Sequence, residues 1–185
     1  MDAPALPFPS LTAIAAVASN RVIGDGTGLL WSIPEDFARF KQVTMSGVLV
    51  MGRTTYESLG GALRGRVSVV LSQDRSWRPR NTRGCEVYAV NSVIEAVAML
   101  AARPQQRWWS AGGGQVYRAL WGYTTDLDLT EVHAAPEADV TFPEVAADEW
   151  REISREPRAG FDFVSYTRRT GFAADALKAL VAYAV

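Results

Sequence analysis

Trp31-Ser32-Ile33-Pro34-Glu35-Asp36-Phe37-Ala38-Arg39-Phe40-Lys41 sets one acid on the apolar side of an expected helix. Pro34 suits the first helical position, because its missing N–H would be unpaired there anyway, and Glu35 and Asp36 favour the positive end of the helix dipole. At about 100° per residue, Asp36, Phe37, Phe40, Val43 and Thr44 share an arc of roughly 120°, while Glu35, Ala38, Arg39 and Gln42 point away. Asp36 then reads either as a dipole acid of the first turn or as an acid lining a pocket. In the second case its pKa would be raised, and a basic heterocycle beside it would gain a hydrogen-bond partner and a proton source.

Around this helix, strand-like segments recur at 11–18, 47–51, 67–71, 86–90, 107–111, 126–133, 150–156 and 161–168, with helical segments at 35–44, 54–60, 92–102 and 114–121. Alternation over the first 120 residues argues for an α/β fold: a three-layer sandwich whose central sheet is mostly parallel. The helix-poor stretch to 169 adds antiparallel strands at its C-terminal edge. Residues 11–169 read as a single domain, after an N-terminal arm over 1–10. Ala173, Ala174, Leu177, Leu180, Val181 and Ala184 recur at helical spacing, so 170–185 reads as a C-terminal amphipathic extension that either docks on the body or packs against another subunit.

Composition narrows the function classes. The 185 residues are 48% hydrophobic and 21% charged with net charge −1, which leaves no basic excess for a nucleic-acid partner. A single cysteine, Cys85, and a single histidine, His133, cannot assemble a Cys/His zinc site or an internal disulfide, so no metal is expected and a reducing, cytoplasmic setting fits. The first ten residues carry Asp2 and three prolines instead of a basic and then apolar leader, and no apolar run reaches the ~18 residues of a membrane span. His133 reads as a surface or edge-strand residue. Trp108 and Trp109 alternate across a strand and read as packing residues.

Three strand ends carry anion-binding chemistry. Gly52-Arg53-Thr54-Thr55 follows the strand ending at Met51 and opens a helix, so free N–H groups and a guanidinium converge; Thr54-x-x-Glu57 also matches a capping box. Gly112-Gly113-Gly114-Gln115-Val116-Tyr117 follows another strand, although its spacing is not the Rossmann fingerprint. Leu71-Ser72-Gln73-Asp74-Arg75 ends a third, with groups suited to an extra phosphate. Ligands of open α/β sheets lie beyond the carboxyl ends of strands, so the three together suggest a dinucleotide in its 2′-phosphate form. Gly24-Asp25-Gly26-Thr27-Gly28 reads equally as a flap or as a wide turn. No Walker-type loop and no Gly-x-Ser-x-Gly elbow is present.

In order along the chain, Ile14-Ala15-Ala16, Val22-Ile23-Gly24, Trp31 to Lys41, Met51-Gly52-Arg53-Thr54-Thr55-Tyr56-Glu57-Ser58-Leu59, Gly65-Arg66, Gly112 to Tyr117, Leu129-Thr130-Glu131-Val132, Asp139-x-x-Phe142-Pro143, Trp150 and Phe161-Asp162-Phe163 closely resemble dihydrofolate reductase. The resemblance covers about residues 11–169. It implies NADPH-dependent reduction of dihydrofolate to tetrahydrofolate, with Asp36 as the sole acid of the pterin pocket, holding the 2-amino and N3 groups and promoting protonation at N5. Thr130 resembles the threonine bonded to that carboxylate, and Trp31 the tryptophan that helps position water. Ile14, Ile33, Phe37, Phe40, Leu59 and Ala111 match the substrate walls, and Arg66 the arginine that pairs with the glutamate carboxylate of folate. On the cofactor side, Ala16, Ile23, Gly28 and Leu29 fall near the nicotinamide, Leu29 in the loop over the site. Gly113, Gly114, Gln115, Val116 and Tyr117 match the pyrophosphate turn, with a cis Gly112-Gly113 peptide. Gly52, Arg53, Thr54, Thr55, Leu71, Ser72 and Gln73 match the phosphate and adenosine end.

Tyr56, Ala111 and Gly60-Gly61-Ala62 depart from the family's commonest residues and put details of inhibitor fit in question. The resemblance also implies antifolate binding and, as the default, a monomer. Two other readings share the scaffold: a reductase of another heterocycle, such as the pyrimidine reductases of riboflavin synthesis, and a folate- or nucleotide-binding module without turnover. Asp36 and Arg66 argue against the first, and intact Asp36, Arg53 and the glycine turn against the second.

Overall fold

In the computed structural model, which describes residues 10–169 except 27, 29 and 104, there are ten strands and four helices, and eight of the strands and all four helices fall where the sequence places them. They run β1 (Leu11–Ala18), β2 (Val22–Gly24), α1 (Pro34–Thr44), β3 (Val48–Gly52), α2 (Arg53–Ser58), β4 (Val67–Leu71), β5 (Val87–Val90), α3 (Val93–Ala101), β6 (Trp108–Ser110), α4 (Gly114–Leu120), β7 (Asp126–Val132), β8 (Val140–Thr141), β9 (Trp150–Arg158) and β10 (Phe161–Arg168). A 3-10 turn over Trp121–Tyr123 follows α4. The main sheet has eight strands in the order β5-β4-β3-β6-β1-β7-β10-β9. Its first six are parallel, and β10 runs antiparallel to both β7 and β9. The expected antiparallel edge is therefore the C-terminal hairpin.

Two elements were not expected. β2 and β8 form a two-stranded antiparallel ribbon, with Val22 opposite Thr141. At three and two residues, neither gives a readable period, and their pairing joins segments more than a hundred residues apart. The extension over 170–185 and the arm before Ser10 lie outside the described residues.

The three layers follow from side-chain alternation in the central strands. Val48 and Val50 face one way, packing with Ala96, Val97 and Leu100 of α3 and Val116 and Leu120 of α4. Leu49 and Met51 face the other way, against Tyr56 of α2 and the partly buried Phe40 and Val43 of α1. Trp108 and Trp109 divide between these two clusters, as packing residues on a strand must. His133 is exposed just past β7, with Nε2 3.2 Å from an Asp162 carboxylate oxygen.

Helix ends show which local signals operate. Ile33 is the N-cap of α1 and Pro34 takes the first turn, so the helix starts where the proline expects it. At α2 the capping-box reading of Thr54 and Glu57 fails. The N-cap is Gly52, which puts Thr54 inside the helix, and the Glu57 carboxylate accepts from Trp77 Nε1 at 2.9 Å. The side-chain cap occurs at α3, where Ser92 Oγ accepts the Glu95 N–H at 3.2 Å and Glu95 Oε2 accepts the Asn91 N–H at 2.9 Å. Ser92→Ala should destabilise the protein by about 1 kcal/mol and lower Tm by roughly 2–4 °C, with turnover unchanged. Thermal unfolding and steady-state kinetics on one preparation check both halves.

Candidate active site

β7 and β1 supply the floor of the site. In their register Thr130 lies beside Ala16 and Asp128 beside Ile14, while on the other side of β7 Phe163 lies opposite Thr130. Residues two apart share a face, so Asp128 and Thr130 point the same way. α1 crosses this face with Asp36 in its first turn, and the Thr130 hydroxyl donates to Asp36 Oδ1 at 2.5 Å. Burial raises the carboxyl above its ordinary value. The Thr130 hydrogen bond and the nearby Arg39 oppose that rise, and Asp128 adds to it. Burial outweighs the rest, so Asp36 holds its proton at higher pH than a free aspartate does.

Around this carboxylate, Ala16, Trp31 and Ile33 pack against Val132, Phe161 and Phe163. Among the described residues, the Trp31 indole N–H is buried without a hydrogen-bond partner. Ile14, Phe40, Leu59 and Ala111 belong to the neighbouring cluster under α1 and α2. Phe37 shares the helix arc with Asp36 yet is 43% exposed. Arg66, at the far end of α1, donates from Nη1 to Thr44 Oγ1 at 3.2 Å and from Nε and Nη2 to its near neighbour Arg64's carbonyl at 3.2 and 3.1 Å. Its guanidinium lies 5.9 Å from the Phe40 ring centroid.

Two side chains correct the sequence reading. Arg39 was expected to point away from the apolar arc, but it donates from Nη1 to Asp128 Oδ1, with its Cζ 4.8 Å from the Phe163 ring centroid. It stands about 60° beyond Asp36 on the helix circumference, and so reaches the sheet from the rim of the arc. Asp36 is accordingly not the only carboxylate here, because the buried Asp128 stands close by. The alternation Asp126-x-Asp128-x-Thr130, interleaved with Leu127 and Leu129, is the signal that could have found Asp128.

β4, β3 and β6 are consecutive in the sheet, so their carboxyl ends bring the three anion-binding loops together. The Gly52 N–H donates to the Gly112 carbonyl at 2.8 Å. The Gly112–Gly113 peptide is cis and Gly112 has φ +103°. A Cβ on Gly113 would stand in van der Waals contact with Thr55 Oγ1, 3.5 Å away, so the two loops face each other closely. Val116 and Tyr117 are buried, and the Tyr117 hydroxyl donates to the Ile14 carbonyl at 2.6 Å, tying the glycine turn to β1. Burial, reinforced by the Asp36 charge, raises the Tyr117 phenol's pKa and keeps it a donor. Thr54, Gln73 and Gln115 are exposed, and Leu71 is partly buried. Arg53 lies 3.5 Å from an Asp74 carboxylate oxygen, and the buried Ser72 hydroxyl accepts the Asp74 N–H at 3.2 Å. Hydrogen bonds from Ser76 hold Asp74 below the usual carboxylate range. The positive surplus expected at this strand end is thus partly neutralised, and an anion here would meet Arg53 by displacing Asp74. The donors still fit an elongated anionic ligand: a guanidinium, threonine hydroxyls and unobstructed backbone at adjacent strand ends.

The Gly28 N–H donates to Asp25 Oδ1 at 3.2 Å, and a Cβ on Gly24 would lie 3.0 Å from the Gly28 carbonyl, so the ends of the glycine cluster close as a turn. Ile23 is partly buried against the Leu127–Leu129 cluster. Leu29 lies outside the described residues.

Residues 10–168 match the dihydrofolate reductase family. Dihydrofolate reductase HdrB of Haloferax volcanii is 43% identical over 171 residues, covering 88% of this chain and 85% of its own. The Neisseria gonorrhoeae dihydrofolate reductase is 39% identical, covering 85% and 94%. Among solved structures, dihydrofolate reductase from Enterococcus faecalis complexed with NADP(H) and RAB-propyl superposes with a TM-score of 0.73 at 29% identity, covering 86% of this chain and 96% of that one.

Proposed function

The chain belongs to the dihydrofolate reductase family and reduces dihydrofolate to tetrahydrofolate with NADPH, and from that premise we propose that Asp36 is the acid that promotes protonation of pterin N5. The observation that carries this role is the half-buried Asp36 carboxyl, raised by burial and fixed at one oxygen by Thr130. NADPH supplies the hydride, which passes to pterin C6. Asp36 holds the 2-amino and N3 edge and biases the proton toward N5, while Thr130 fixes which oxygen is free to do so. The buried Trp31 N–H, without a partner among the described residues, supports a role in holding a water beside that carboxylate. Ile14, Ile33, Phe37, Phe40, Leu59 and the Ala111 backbone form the walls, and Arg66 takes the glutamate carboxylate of the substrate. Gly52 to Thr55, Leu71 to Gln73 and Gly113 to Tyr117 hold the phosphates and adenosine. Ala16, Ile23, Gly28 and Leu29 border the nicotinamide.

We read residues 11–169 as one catalytic domain, acting as a cytoplasmic monomer and open to antifolates that present a basic heterocycle to Asp36. No helix among the described residues is long and apolar enough to cross a membrane.

The test is the pH profile. Because turnover needs a proton, it should fall as pH rises through the apparent pKa of the complex. Thr130→Val removes the hydrogen bond that holds Asp36 down, so the midpoint should move up by about half a pH unit to one. Single-turnover hydride transfer at saturating NADPH and dihydrofolate reads the midpoint, and a downward shift or none would refute the pairing role of Thr130.

A further inference from the structure

Asp36 and Thr130 are one of two rungs between α1 and β7. One helical turn on, Arg39 reaches the same strand two residues back and donates to Asp128. The second rung is more enclosed than most ion pairs, its side chains being 26% and 11% exposed. The Arg39 guanidinium is also stacked, with Phe163 of β10 beneath it and the Arg158 guanidinium 5.5 Å from the same ring. Arg158 in turn pairs with Glu35 of α1 at 3.3 Å and with Glu156 at 3.1 Å.

We propose that the Arg39–Asp128 pair is a positioning device for the proton-promoting acid, seating α1 on β7 one turn from Asp36 and presenting that carboxylate with a neutral pair instead of a net charge. This rests on the reading of Asp36 given above. The titratable and charged groups facing Asp36 among the described residues are Arg39 on its own helix, Asp128 on β7 and the Tyr117 phenol on α4. Glu35, Glu156 and Arg158 lie on the outer side of α1, around Phe163. Arg39 and Asp128 act on Asp36 with opposite signs, as a neutral pair must. A pair that merely glued the helix to the sheet would alter stability when broken, but it would not move the ionisation of Asp36 in opposite directions depending on which partner was lost.

The experiment compares Asp128→Asn, Arg39→Gln, the double variant and Arg39→Lys in the full chain. Two readouts are used: the pH midpoint of single-turnover hydride transfer, and the carboxyl 13C titration of Asp36 in the free protein. Asp128→Asn leaves Arg39 uncompensated, which stabilises the Asp36 carboxylate and should lower both midpoints by about one pH unit. Arg39→Gln leaves Asp128 uncompensated and should raise them by a similar amount. The double variant and Arg39→Lys should stay near the parent, and NADPH affinity should change less than about twofold throughout. Shifts of the same sign in the two single variants, or unmoved midpoints in both, overturn the proposal. Should a single variant fail to fold, the other and the Lys and double variants decide it. A midpoint in Arg39→Lys as high as that expected for the lost charge would also overturn it. If Asp36→Asn retained parental turnover, the Asp36 reading itself would be wrong, and the 13C titration would still show whether the pair governs that carboxyl.

Discussion

Asp36→Asn should lose turnover on the order of a thousandfold at neutral pH while keeping its fold and its affinity for NADPH, because an amide of the same shape cannot promote protonation at N5. The amide oxygen can still accept from the Thr130 hydroxyl, so the 2.5 Å contact and the seat of α1 on β7 persist. The residual rate should climb about tenfold for each pH unit of acidification, since protonation then comes from solution alone. The parent should instead level off below its midpoint. Single-turnover rates between pH 5 and 9, with NADPH binding measured in parallel, check this. A variant as fast as the parent at neutral pH would remove Asp36 from the mechanism, and a variant that had also lost NADPH affinity would point to a distorted site.

Asp36 is legible in the sequence because three local signals coincide on it: the proline that starts the helix, the dipole that favours an acid, and the 3.6-residue period that turns it toward the core. All three act within one helical turn. The three anion-binding strand ends are legible for a similar reason, since each carries its own glycine or hydroxyl signal, whereas their adjacency as β4-β3-β6 comes from the sheet itself. Arg39 is misplaced by periodicity because it stands at the edge of the apolar arc, where the period is ambiguous, and what decides its direction is Asp128, eighty-nine positions away. Pairing across that distance leaves no local trace. The capping box at Thr54 fails because the helix begins one residue after Gly52, and a motif offset by a residue or two has the same spelling whichever residue is the cap. Asp74 counts by composition within a positive strand end, yet its carboxylate faces Arg53. The residues there are the expected ones, but composition alone cannot say which of two opposite charges meets the other.

Arg66→Met should raise the KM for dihydrofolate on the order of a hundredfold with kcat little changed. A guanidinium offers a carboxylate two parallel charge-assisted hydrogen bonds, each contributing about 1.5–3 kcal/mol, and methionine offers none. The Thr44 hydroxyl loses its donor from Arg66 but still donates to the Phe40 carbonyl at 2.6 Å, so no buried polar group is stranded. Methionine keeps an unbranched apolar stem of similar reach beside the Phe40 ring, over which the guanidinium now lies at 5.9 Å, and this keeps the cost to stability small. The proton and hydride chemistry at Asp36 lies about two helical turns from Thr44 along α1, so the reacting atoms should not notice the change once substrate is bound. A dihydropterin without the glutamate isolates the cause. The parent and Arg66→Met should reduce it with the same KM, because neither then has a carboxylate to hold. A hundredfold loss on both substrates would mean that Arg66 shapes the pocket through Phe40 and Thr44 and does not bind the carboxylate. An unchanged KM for dihydrofolate would show that the carboxylate is held elsewhere.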